Sequence, residues 1–471
     1  MNNPQGIPFG ALLALAGLSV LLPRPSMGQS VSFDDAMEVV LNNNLRALES
    51  DLRLDETQSQ ALRAGARYYP GVRVEANTQV WDDALTLNLG GGTPAELPAP
   101  QTPYEELLAG LVTELGQPVP VRDQLTAQAQ ISIVQPLVGL YPIHLASQLE
   151  QRGVEAARLE RDVTDLSLLQ QTSAVYLRVL LTERLLENAQ TSRDTLLAQE
   201  KRTQALIANA AAIPADALRL RVAIADAERE IIRLENAKAI TLSQLAALMN
   251  LDLNAPLELT SSAPSNDVPP PQPPLALDEA TARGLAQRPQ VALVTVRGEQ
   301  AELGVELAQT DYLPSLDLIG AYQRTEGQGL VATDQLFVGL FLTWDVVAWG
   351  ARVHQVDAAQ SRVEQVEVAQ AQLRQAIALE VRSAWLEMES ARRAWDVAQT
   401  AVREAQEVYR TEQVRFEQQA STAVDLLTAE SALTQARNAR SITRYNVLLA
   451  LVQLRAAMGD PPTANNLNLS P

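Results

Sequence analysis

The chain repeats itself at two fixed spacings. Residues 33–80 recur 244 positions later, and residues 137–249 recur 209 positions later. The difference between 244 and 209, 35 residues, is extra chain in the first half between Trp81 and about Leu125. One structural unit is therefore used twice, and the fold must be built from two similar halves. Corresponding residues include Tyr69-Pro70 with Leu313-Pro314, Leu137 with Val346, Tyr176 with Trp385, and Met249 with Met458.

Composition excludes several classes of protein. The chain has no Cys and only two His, so disulfides, thiolate metal sites and His-rich metal centres lack ligands. The formal net charge of −19 repels nucleic-acid phosphates, and no basic stripe is present. We find no phosphate-binding loop, paired-carboxylate site or nucleophile motif, and therefore expect no cofactor, no catalysis and no nucleic-acid partner.

The N-terminus has the composition of an export signal. Ala11 to Leu22 is a twelve-residue apolar run, too short to span a bilayer but suited to the apolar part of a secretory signal. Small residues at Ser26 and Gly28 favour cleavage after Gly28. Residues 1–28 are therefore predicted to be a signal peptide, although the run is not preceded by Lys or Arg.

Each repeat has the same predicted order of elements: a broken helix, two strands, a long helix and a returning helix. Alternation of apolar and polar residues places strands over 72–80, 125–133, 316–322 and 336–344. Helical spacing places helices over 34–67, 144–211 and 215–250, and again over 278–309, 353–420 and 423–458. The long helices hold ~68 residues, which corresponds to roughly 100 Å.

The predicted domains follow from this order. The first repeat spans 31–251 and contains a long hairpin loop at about 82–125, in which Tyr104 to Leu115 has a short helical pattern. A Pro-rich linker over 252–274, expected to be extended and stiff, joins it to the second repeat over 275–459. Residues 460–471 are predicted to be a disordered tail.

Two-faced strands in an exported chain favour a membrane barrel, because lipid requires every backbone amide to be paired. Four strands cannot close a barrel, since the smallest membrane barrels use about eight. The chain can close one only by sharing it between subunits, and three copies would supply twelve strands. The long helices are too charged for lipid and must stand in water: Glu150, Arg152, Glu155, Arg158, Glu160, Arg161 and Asp162 follow closely on one another.

The order of several short motifs carries a family resemblance. Leu41-Asn42-Asn43-Asn44-Leu45 and Leu285-Ala286-Gln287-Arg288-Pro289 lie at the helix breaks, and Tyr69-Pro70 and Leu313-Pro314 precede the first strands. Gln135-Pro136-Leu137-Val138-Gly139 and Trp344 to Gly350 lead into the long helices. In this order, found twice, the chain resembles the TolC-like outer-membrane efflux proteins from about Val31 to Gly459.

The resemblance implies a mainly α fold with a β-barrel portion: a homotrimer whose twelve-stranded outer-membrane barrel continues into a periplasmic α-helical barrel. Such a trimer would sit in outer-membrane lipid of a Gram-negative type envelope. It would be a passive exit duct of a tripartite efflux or type I secretion system, with a periplasmic membrane-fusion adaptor and an inner-membrane transporter of the resistance-nodulation-division or ABC type. The alternative is a structural coiled-coil or surface fibre protein without a pore.

The resemblance also points to the helical turns at the periplasmic tip. Asp425 and Asp216 begin the returning helices, and threefold symmetry would bring three copies of each together as an anionic pore constriction, with Thr422 and Thr428 beside Asp425. The alternative is that both Asp residues only stabilise helix starts. The family pattern has Tyr and Gly where this chain has Phe416 and Gln419, so a gate held by Tyr hydrogen bonds is not expected.

Aromatic residues near the strand ends are candidates for the membrane interface, where amphipathic rings are favoured. The predicted interface aromatics are Trp81, Tyr322 and Trp344. Trp349 lies at the start of the second long helix, and for it packing inside a collar of helices is an equally good interpretation.

Overall fold

The structure, a computed structural model, describes residues 29–87, 100, 102–115, 119–209, 212–254, 256–260, 269–467 and 469. The predicted signal peptide over 1–28 lies outside the described residues and stays a prediction. The first repeat consists of β1 (Gln29–Val31), α1 (Phe33–Asn43), α2 (Leu45–Ala66), β2 (Gly71–Val80), β3 (Leu85–Leu87), α3 (Pro103–Leu115), β4 (Val119–Arg122), β5 (Leu125–Pro136), α4 (Leu140–Ala208) and α5 (Pro214–Leu248).

The second repeat follows the same order without the insertion. It consists of β6 (Leu257–Leu259), α6 (Leu277–Gln287), α7 (Pro289–Thr310), β7 (Ser315–Glu326), β8 (Asp334–Thr343), α8 (Ala351–Glu417) and α9 (Ala423–Met458), and a 3-10 turn at Asn465–Leu467 closes the chain. The mainly helical fold with a smaller β portion is confirmed. The two long helices, of 69 and 67 residues, are each uninterrupted, because the one Pro within them, Pro142, lies in the first turn of α4, where proline is tolerated.

The chain folds as two compact units, and each unit is built from both repeats. Unit 1 holds the described residues up to Leu48, Asp165–Arg283 and those from Glu380 onward. Unit 2 holds Glu49–Thr164 and Gly284–Leu379, and it contains the whole four-stranded sheet. The long helices α4 and α8 contribute residues to both units.

The break in the first helix is fixed by a buried asparagine. Asn44 leaves the helical conformation between α1 and α2, and its side-chain oxygen accepts a hydrogen bond from the Arg46 backbone N–H at 2.9 Å. Its side-chain amide donates to the Leu248 carbonyl at 2.7 Å, so the break is also tied to the end of α5. In the second repeat Pro289 starts α7, where its missing N–H is not needed.

An aromatic side chain of each long helix fixes the start of its repeat. The Tyr176 hydroxyl of α4 donates to the Val31 carbonyl at 3.2 Å, and its ring packs edge-on against Phe33 with centroids 5.3 Å apart. In the second repeat the Trp385 indole N–H of α8 donates to the Leu275 carbonyl at 3.1 Å. Val31 and Leu275 are 244 residues apart, whereas Tyr176 and Trp385 are 209 apart. The same contact therefore occurs in both repeats, and it joins a residue of the 244-residue spacing to a residue of the 209-residue spacing.

The four long strands form one antiparallel sheet in the order β2-β5-β7-β8. One face carries large apolar side chains that are each at least 38% exposed: Val72, Val74, Val80, Leu125, Ile131, Ile133, Leu318, Tyr322, Leu336, Val338, Leu340 and Leu342. The opposite face carries mainly polar side chains, together with Phe337 and Phe341 of β8; the polar ones include Arg73, Glu75, Asn77, Gln79, Gln128, Gln130, Gln323, Thr325 and Gln335. We call these the apolar face and the polar face.

The insertion in the first hairpin is more ordered than the predicted loop. The helix expected from Tyr104 to Leu115 is present as α3, but β3 and β4 also pair in an antiparallel ribbon that the sequence did not predict. The turn after β7 is docked against this ribbon: Gly329 N–H donates to the Val121 carbonyl at 3.1 Å. A Cβ on Gly329 would lie 1.9 Å from the Pro120 carbonyl oxygen, so only glycine permits this approach.

Two other expectations need correction. Strand β6 lies within the predicted Pro-rich linker and pairs in parallel with β1, so part of that linker is a folded element of unit 1.

The tail after Gly459 was predicted to be disordered, but its described residues pack against the rest of the protein. Leu467 is fully buried, and the Ala464 N–H donates to the Asp34 carboxylate at 3.0 Å. Apolar side chains at Leu467 and Leu469 explain why this polar-looking tail folds back.

Candidate functional site

The turn between α8 and α9 starts with an apolar cluster. Phe416 is 6% exposed and packs with Ala423 and Leu426, against Leu206 and Tyr409. The ring thus fills a buried position, and apolar packing holds this turn where the family pattern has a Tyr. Gln419, at the glycine position of the pattern, has φ of +61°. That left-handed conformation explains why glycine suits this position.

Asp425 is the third residue of α9 and closes a capping box with Thr422. The Asp425 N–H donates to the Thr422 hydroxyl at 3.2 Å, and the carboxylate accepts from the Thr422 backbone N–H at 3.0 Å and from its hydroxyl at 2.7 Å. These hydrogen bonds, the hydroxyl first and the backbone N–H next, lower the pKa of the Asp425 carboxyl below its usual value. The carboxylate is exposed and charged at neutral pH.

The same turn holds a second acidic group, and this one is paired. The Ser421 hydroxyl donates to Glu412 at 2.6 Å, and Arg415 forms an ion pair with Glu412 at 2.7 Å. Thr428, one turn into α9, donates its hydroxyl to the Val424 carbonyl at 2.8 Å, so its donor is occupied by the helix backbone. Asp425, Thr422 and Thr428 therefore share one helix start, and only Asp425 presents a charge there.

The turn between α4 and α5 has the same backbone role but different electrostatics. Asp216 is also the third helical residue, and its carboxylate accepts from the Ile213 N–H at 3.4 Å. Ile213 has no side-chain oxygen, however, so it cannot accept a hydrogen bond from the Asp216 N–H as Thr422 does from Asp425. Arg219 lies 3.2 Å from the Asp216 carboxylate, whose side chain is 14% exposed. The second repeat has Thr428 at the position of Arg219. The charge of Asp216 is therefore balanced locally, whereas Asp425 has no basic residue at the equivalent place.

The two helix starts are neighbours. Helices α5 and α9 pack together, and Arg219 lines an open groove with Val424, Leu427 and Thr428. Leu427 also packs against the buried cluster of Leu196, Leu220 and Ile224. Sequence analysis identified both Asp residues as site candidates but not Arg219. Its pairing with Asp216 could have been predicted, because a basic residue three positions after an Asp in a helix forms a favourable pair.

The predicted interface aromatics lie at different places on the sheet. Tyr322 lies on the apolar face and donates its hydroxyl to Asp334 at 2.6 Å. Trp344 follows β8 directly, and its indole N–H donates to the Tyr312 carbonyl at 3.3 Å. Trp81, which follows β2, contacts other parts of the sheet. Its indole N–H donates to Thr126 at 3.1 Å, and the Arg122 guanidinium lies 3.8 Å from the ring centroid. Thr126 belongs to the polar face, so the Trp81 ring is directed away from the apolar face.

Two further observations concern the described part of the chain. None of its helices combines the length and the apolar character that a membrane crossing requires. Within the same residues, no group of three or more His, Asp or Glu side chains could hold a metal ion.

A sheet with one exposed apolar face, joined to long charged helices, is the arrangement expected of membrane channels that are part β-sheet and part helix. Comparison with known proteins agrees, since residues 282–460 match the Outer membrane efflux protein family. The resemblance to the TolC-like efflux proteins is thereby confirmed. The family is one of outer-membrane channels and not of enzymes, which agrees with the predicted location and with the expectation that the chain catalyses no reaction.

Solved structures show the same fold over nearly the whole chain. The outer membrane protein VceC from Vibrio cholerae is 14% identical with a TM-score of 0.68, and the match covers 91% of this chain and 96% of VceC. The CmeC outer membrane channel from Campylobacter jejuni is 15% identical with a TM-score of 0.70, covering 97% and 94%. The MtrE outer membrane channel from Neisseria gonorrhoeae is 18% identical with a TM-score of 0.66, covering 92% and 91%. No curated protein sequence matches the chain.

Proposed function

We propose that the chain is one subunit of a trimeric outer-membrane exit duct, which passively conducts substrates in a tripartite efflux or type I secretion system. The observation that carries the proposal is the four-stranded sheet with an exposed apolar face and an opposite polar face. An apolar surface of this extent is stable only when something other than water covers it. Lipid on the apolar face and water on the polar face meet that requirement.

The free edges of the sheet support sharing of the barrel between copies. Among the described residues, β2 pairs only with β5 and β8 only with β7, so each has an unpaired edge of ten residues. Unpaired backbone groups cannot face lipid without a large penalty. Pairing β2 of one copy with β8 of the next satisfies both edges, and three copies then close twelve strands, as the family resemblance implies.

The helices supply the part of the duct that stands in water. Their ion pairs include Arg152 with Glu299, 3.1 Å apart, and Arg161 with Asp51, 2.7 Å apart. Charged, solvated helices suit a periplasmic tunnel that meets a membrane-fusion adaptor and an inner-membrane transporter. The resistance-nodulation-division and ABC types of transporter are both compatible with this architecture. Co-purification from envelopes with each candidate transporter decides between them.

At the periplasmic end, the proposed constriction centres on Asp425. Its exposed carboxylate has a lowered pKa and has Thr428, not a basic residue, at the position that Arg219 occupies in the first repeat. Three such carboxylates around an axis would attract cations and repel anions. Thr422 holds the Asp425 carboxylate in place, Thr428 completes the same helix turn, and Asp216 has a smaller role because Arg219 balances its charge.

The duct is tested by conductance in planar bilayers together with the mass of the detergent-extracted protein. A trimer that forms pores supports the proposal, whereas a surface fibre forms long assemblies and no pores. The variant Val338→Asp places a charge on the apolar face, and Gln335→Asp places one on the polar face of the same strand. We expect Val338→Asp to abolish membrane insertion and Gln335→Asp to retain it. Equal insertion by the two variants would show that the apolar face does not meet lipid.

The constriction has its own test. Asp425→Asn removes the charge but keeps a side chain that can cap a helix, and we expect it to reduce the cation preference measured from reversal potentials. Asp216→Asn is the matched control and is expected to change that preference less. If Asp425→Asn leaves both the cation preference and the blockade by multivalent cations unchanged, Asp425 serves the helix start alone.

A further inference from the structure

We propose that Asp317, Phe337 and Phe341 form a binding site for aromatic organic cations on the polar face of the sheet. The inference rests on the proposed function, in which this face lines the water-filled duct. Asp317 lies on β7, and the two phenylalanines lie on the neighbouring strand β8. By the pairing of these strands, all three residues belong to the same face as Gln323 and Gln335, opposite to the face that meets lipid.

The two rings form one aromatic surface. Phe337 and Phe341 are 41% and 45% exposed, and their rings meet edge-on with centroids 6.4 Å apart. Gly339 lies between them on the same face, and a Cβ at that position would be 3.1 Å from the Phe341 ring. The Phe341 ring therefore lies close over the strand. Aromatic rings on a water-facing surface are stabilised when an apolar or cationic group covers them.

A carboxylate stands directly beside the rings. Asp317 and Phe341 are opposite each other in the β7–β8 pair, a placement that brings Cβ atoms on one face to about 5 Å. Over the residues that the structure describes, the Asp317 carboxylate forms no hydrogen bond or ion pair. Its charge is therefore not balanced within the chain. An unpaired carboxylate beside a ring attracts a cation that itself carries a ring, because charge attraction and cation–π contact act on the same solute.

The first repeat shows that the fold does not require this site. Arg73 lies 244 positions before Asp317 and corresponds to it. Ser132 lies 209 positions before Phe341, and it stands opposite Arg73 in the β2–β5 pair. The equivalent place thus carries the opposite charge and no ring, and Arg73 is paired with Glu75, 3.5 Å away. The strands accept either set of side chains, so folding alone does not explain the acidic and aromatic set.

Closure of the barrel keeps the site facing the duct. In the proposed trimer, β2 of the next copy pairs with the free edge of β8, and this pairing uses backbone groups in the plane of the sheet. Side chains stand roughly perpendicular to that plane, so Phe337 and Phe341 still project from the polar face. Three copies of the chain then give three such sites, which alternate around the barrel with the three positions of Arg73.

Single-channel recording in planar bilayers tests the site with three small probes. Benzyltrimethylammonium has a ring and a positive charge, tetramethylammonium has the charge without the ring, and benzenesulfonate has a ring with a negative charge. Each probe is added to the chamber that faces the sheet end of the full-length protein. We expect half-block by benzyltrimethylammonium at a concentration about fivefold lower than by tetramethylammonium, because its ring adds a stacking contact. Benzenesulfonate should not block.

Conservative variants assign the block to the named residues. Asp317→Asn keeps the shape of the side chain and should raise the half-blocking concentration of benzyltrimethylammonium about threefold, because the cation loses its counter-charge. The double variant Phe337→Leu, Phe341→Leu stays apolar but lacks aromatic faces, and it should raise that concentration about fivefold. The conductance of each variant before a probe is added shows that its barrel has formed.

Two controls make equivalent changes in the first repeat. Glu75→Gln removes a carboxylate from the same polar face. The double variant Gln128→Leu, Ser132→Leu places leucines at the positions that correspond to Phe337 and Phe341. Both controls should leave the half-blocking concentration of benzyltrimethylammonium nearly unchanged.

The outcomes separate failure of the site from failure of the duct. Equal block by benzyltrimethylammonium and tetramethylammonium, or unchanged block of the Phe337→Leu, Phe341→Leu variant, overturns the site and leaves the duct intact. Block that is lost in Asp425→Asn but kept in Asp317→Asn also overturns the site, since the cation then binds at the periplasmic turn. A protein that forms no pores overturns the proposed function itself.

Discussion

The two repeats agree where they fix the backbone and differ where they face solvent. Tyr176 and Trp385 both reach from a long helix to the carbonyl that precedes the first helix of their repeat, at 3.2 Å and 3.1 Å. At the helical turns the repeats diverge. Thr422 caps α9, whereas Ile213 offers no cap, and Arg219 neutralises Asp216 at a place where the second repeat has Thr428.

This difference shows what duplication preserves. A buried contact that fixes the start of a repeat costs several kcal/mol when lost, so both copies retain it in some chemical form. An exposed charge or cap is worth about 1 kcal/mol or less, and so each copy can change it without losing the fold. The turns could therefore diverge in charge while the contacts that build the repeats did not.

The largest expected effect is at the aromatic contacts. Tyr176→Ala removes a fully buried ring that packs against Phe33, and we expect a loss of about 3–5 kcal/mol in the free energy of unfolding. Trp385→Ala should cost less, because Trp385 is only half-buried. Urea unfolding of the two variants measures the difference, and Tyr176→Phe, which keeps the ring, should lose only about 1 kcal/mol. An equal or greater loss for Trp385→Ala would show that the second contact is not the weaker one.

The caps give the next largest effect. Thr422→Ala should destabilise the α9 start by about 1 kcal/mol, since the Asp425 N–H loses its acceptor. Ile213→Thr should stabilise the α5 start by a comparable amount, because it supplies the acceptor that the first turn lacks. Hydrogen exchange of the two helix starts reports both changes. No change in exchange for Ile213→Thr would mean that the two turns differ in backbone as well as in side chain.

The cap also carries a pH dependence. The pKa of Asp425 is lowered in the folded protein, so its contribution to stability is fully present above the ordinary aspartate pKa of about 3.9. That contribution is lost as the pH falls through the lowered value. The difference in helix-start exchange between the unchanged protein and Asp425→Asn should therefore persist at pH 4 and disappear only in more acidic solution. A difference that disappears already near pH 5 would contradict the lowered pKa.

Gln419 gives a smaller effect of opposite sign. A left-handed residue with a Cβ costs roughly 1–2 kcal/mol, and glycine avoids this at an entropic cost of roughly 0.5–1 kcal/mol in the unfolded chain. Gln419→Gly should therefore stabilise the protein by about 0.5 kcal/mol in urea unfolding. Gln419→Ala, which keeps the Cβ, is the control and should give no gain. If Gln419→Gly and Gln419→Ala had the same free energy of unfolding, the left-handed backbone at residue 419 would not be the source of the stabilisation.

Duplication explains why so much of the fold was predictable. Each helix and strand that was predicted in both repeats was indicated twice by independent residues, and the alternation around Val74 and Leu340 placed the two-faced strands correctly. The β1–β6 pair was missed because strands of three residues carry no periodicity, and their pairing is set by long-range packing. The burial of Leu467 was missed for the same reason.

At the candidate site the sequence identified the residue types but not their partners. Asp216 and Asp425 stand in equivalent positions, and only their surroundings distinguish them. The side on which Trp81 lies depended on strand pairing, because the residue after a strand can continue its alternation or leave it. The left-handed Gln419 had a signal in the glycine of the family pattern, which states a backbone requirement and not a side-chain role.

The smallest expected effect isolates charge from structure. Arg219→Gln removes the positive charge that pairs with the Asp216 carboxylate. An exposed ion pair of this kind contributes well under 1 kcal/mol, so the free energy of unfolding should change by less than about 0.5 kcal/mol. In bilayers the variant should raise the cation preference, because the first turn then carries an uncompensated carboxylate as the second does. The matched variant Arg229→Gln removes an exposed ion pair with Asp226 further along α5 and should leave the preference unchanged. If Arg219→Gln also leaves it unchanged, the α5 start lies away from the ion path, and the constriction is formed by the second repeat alone.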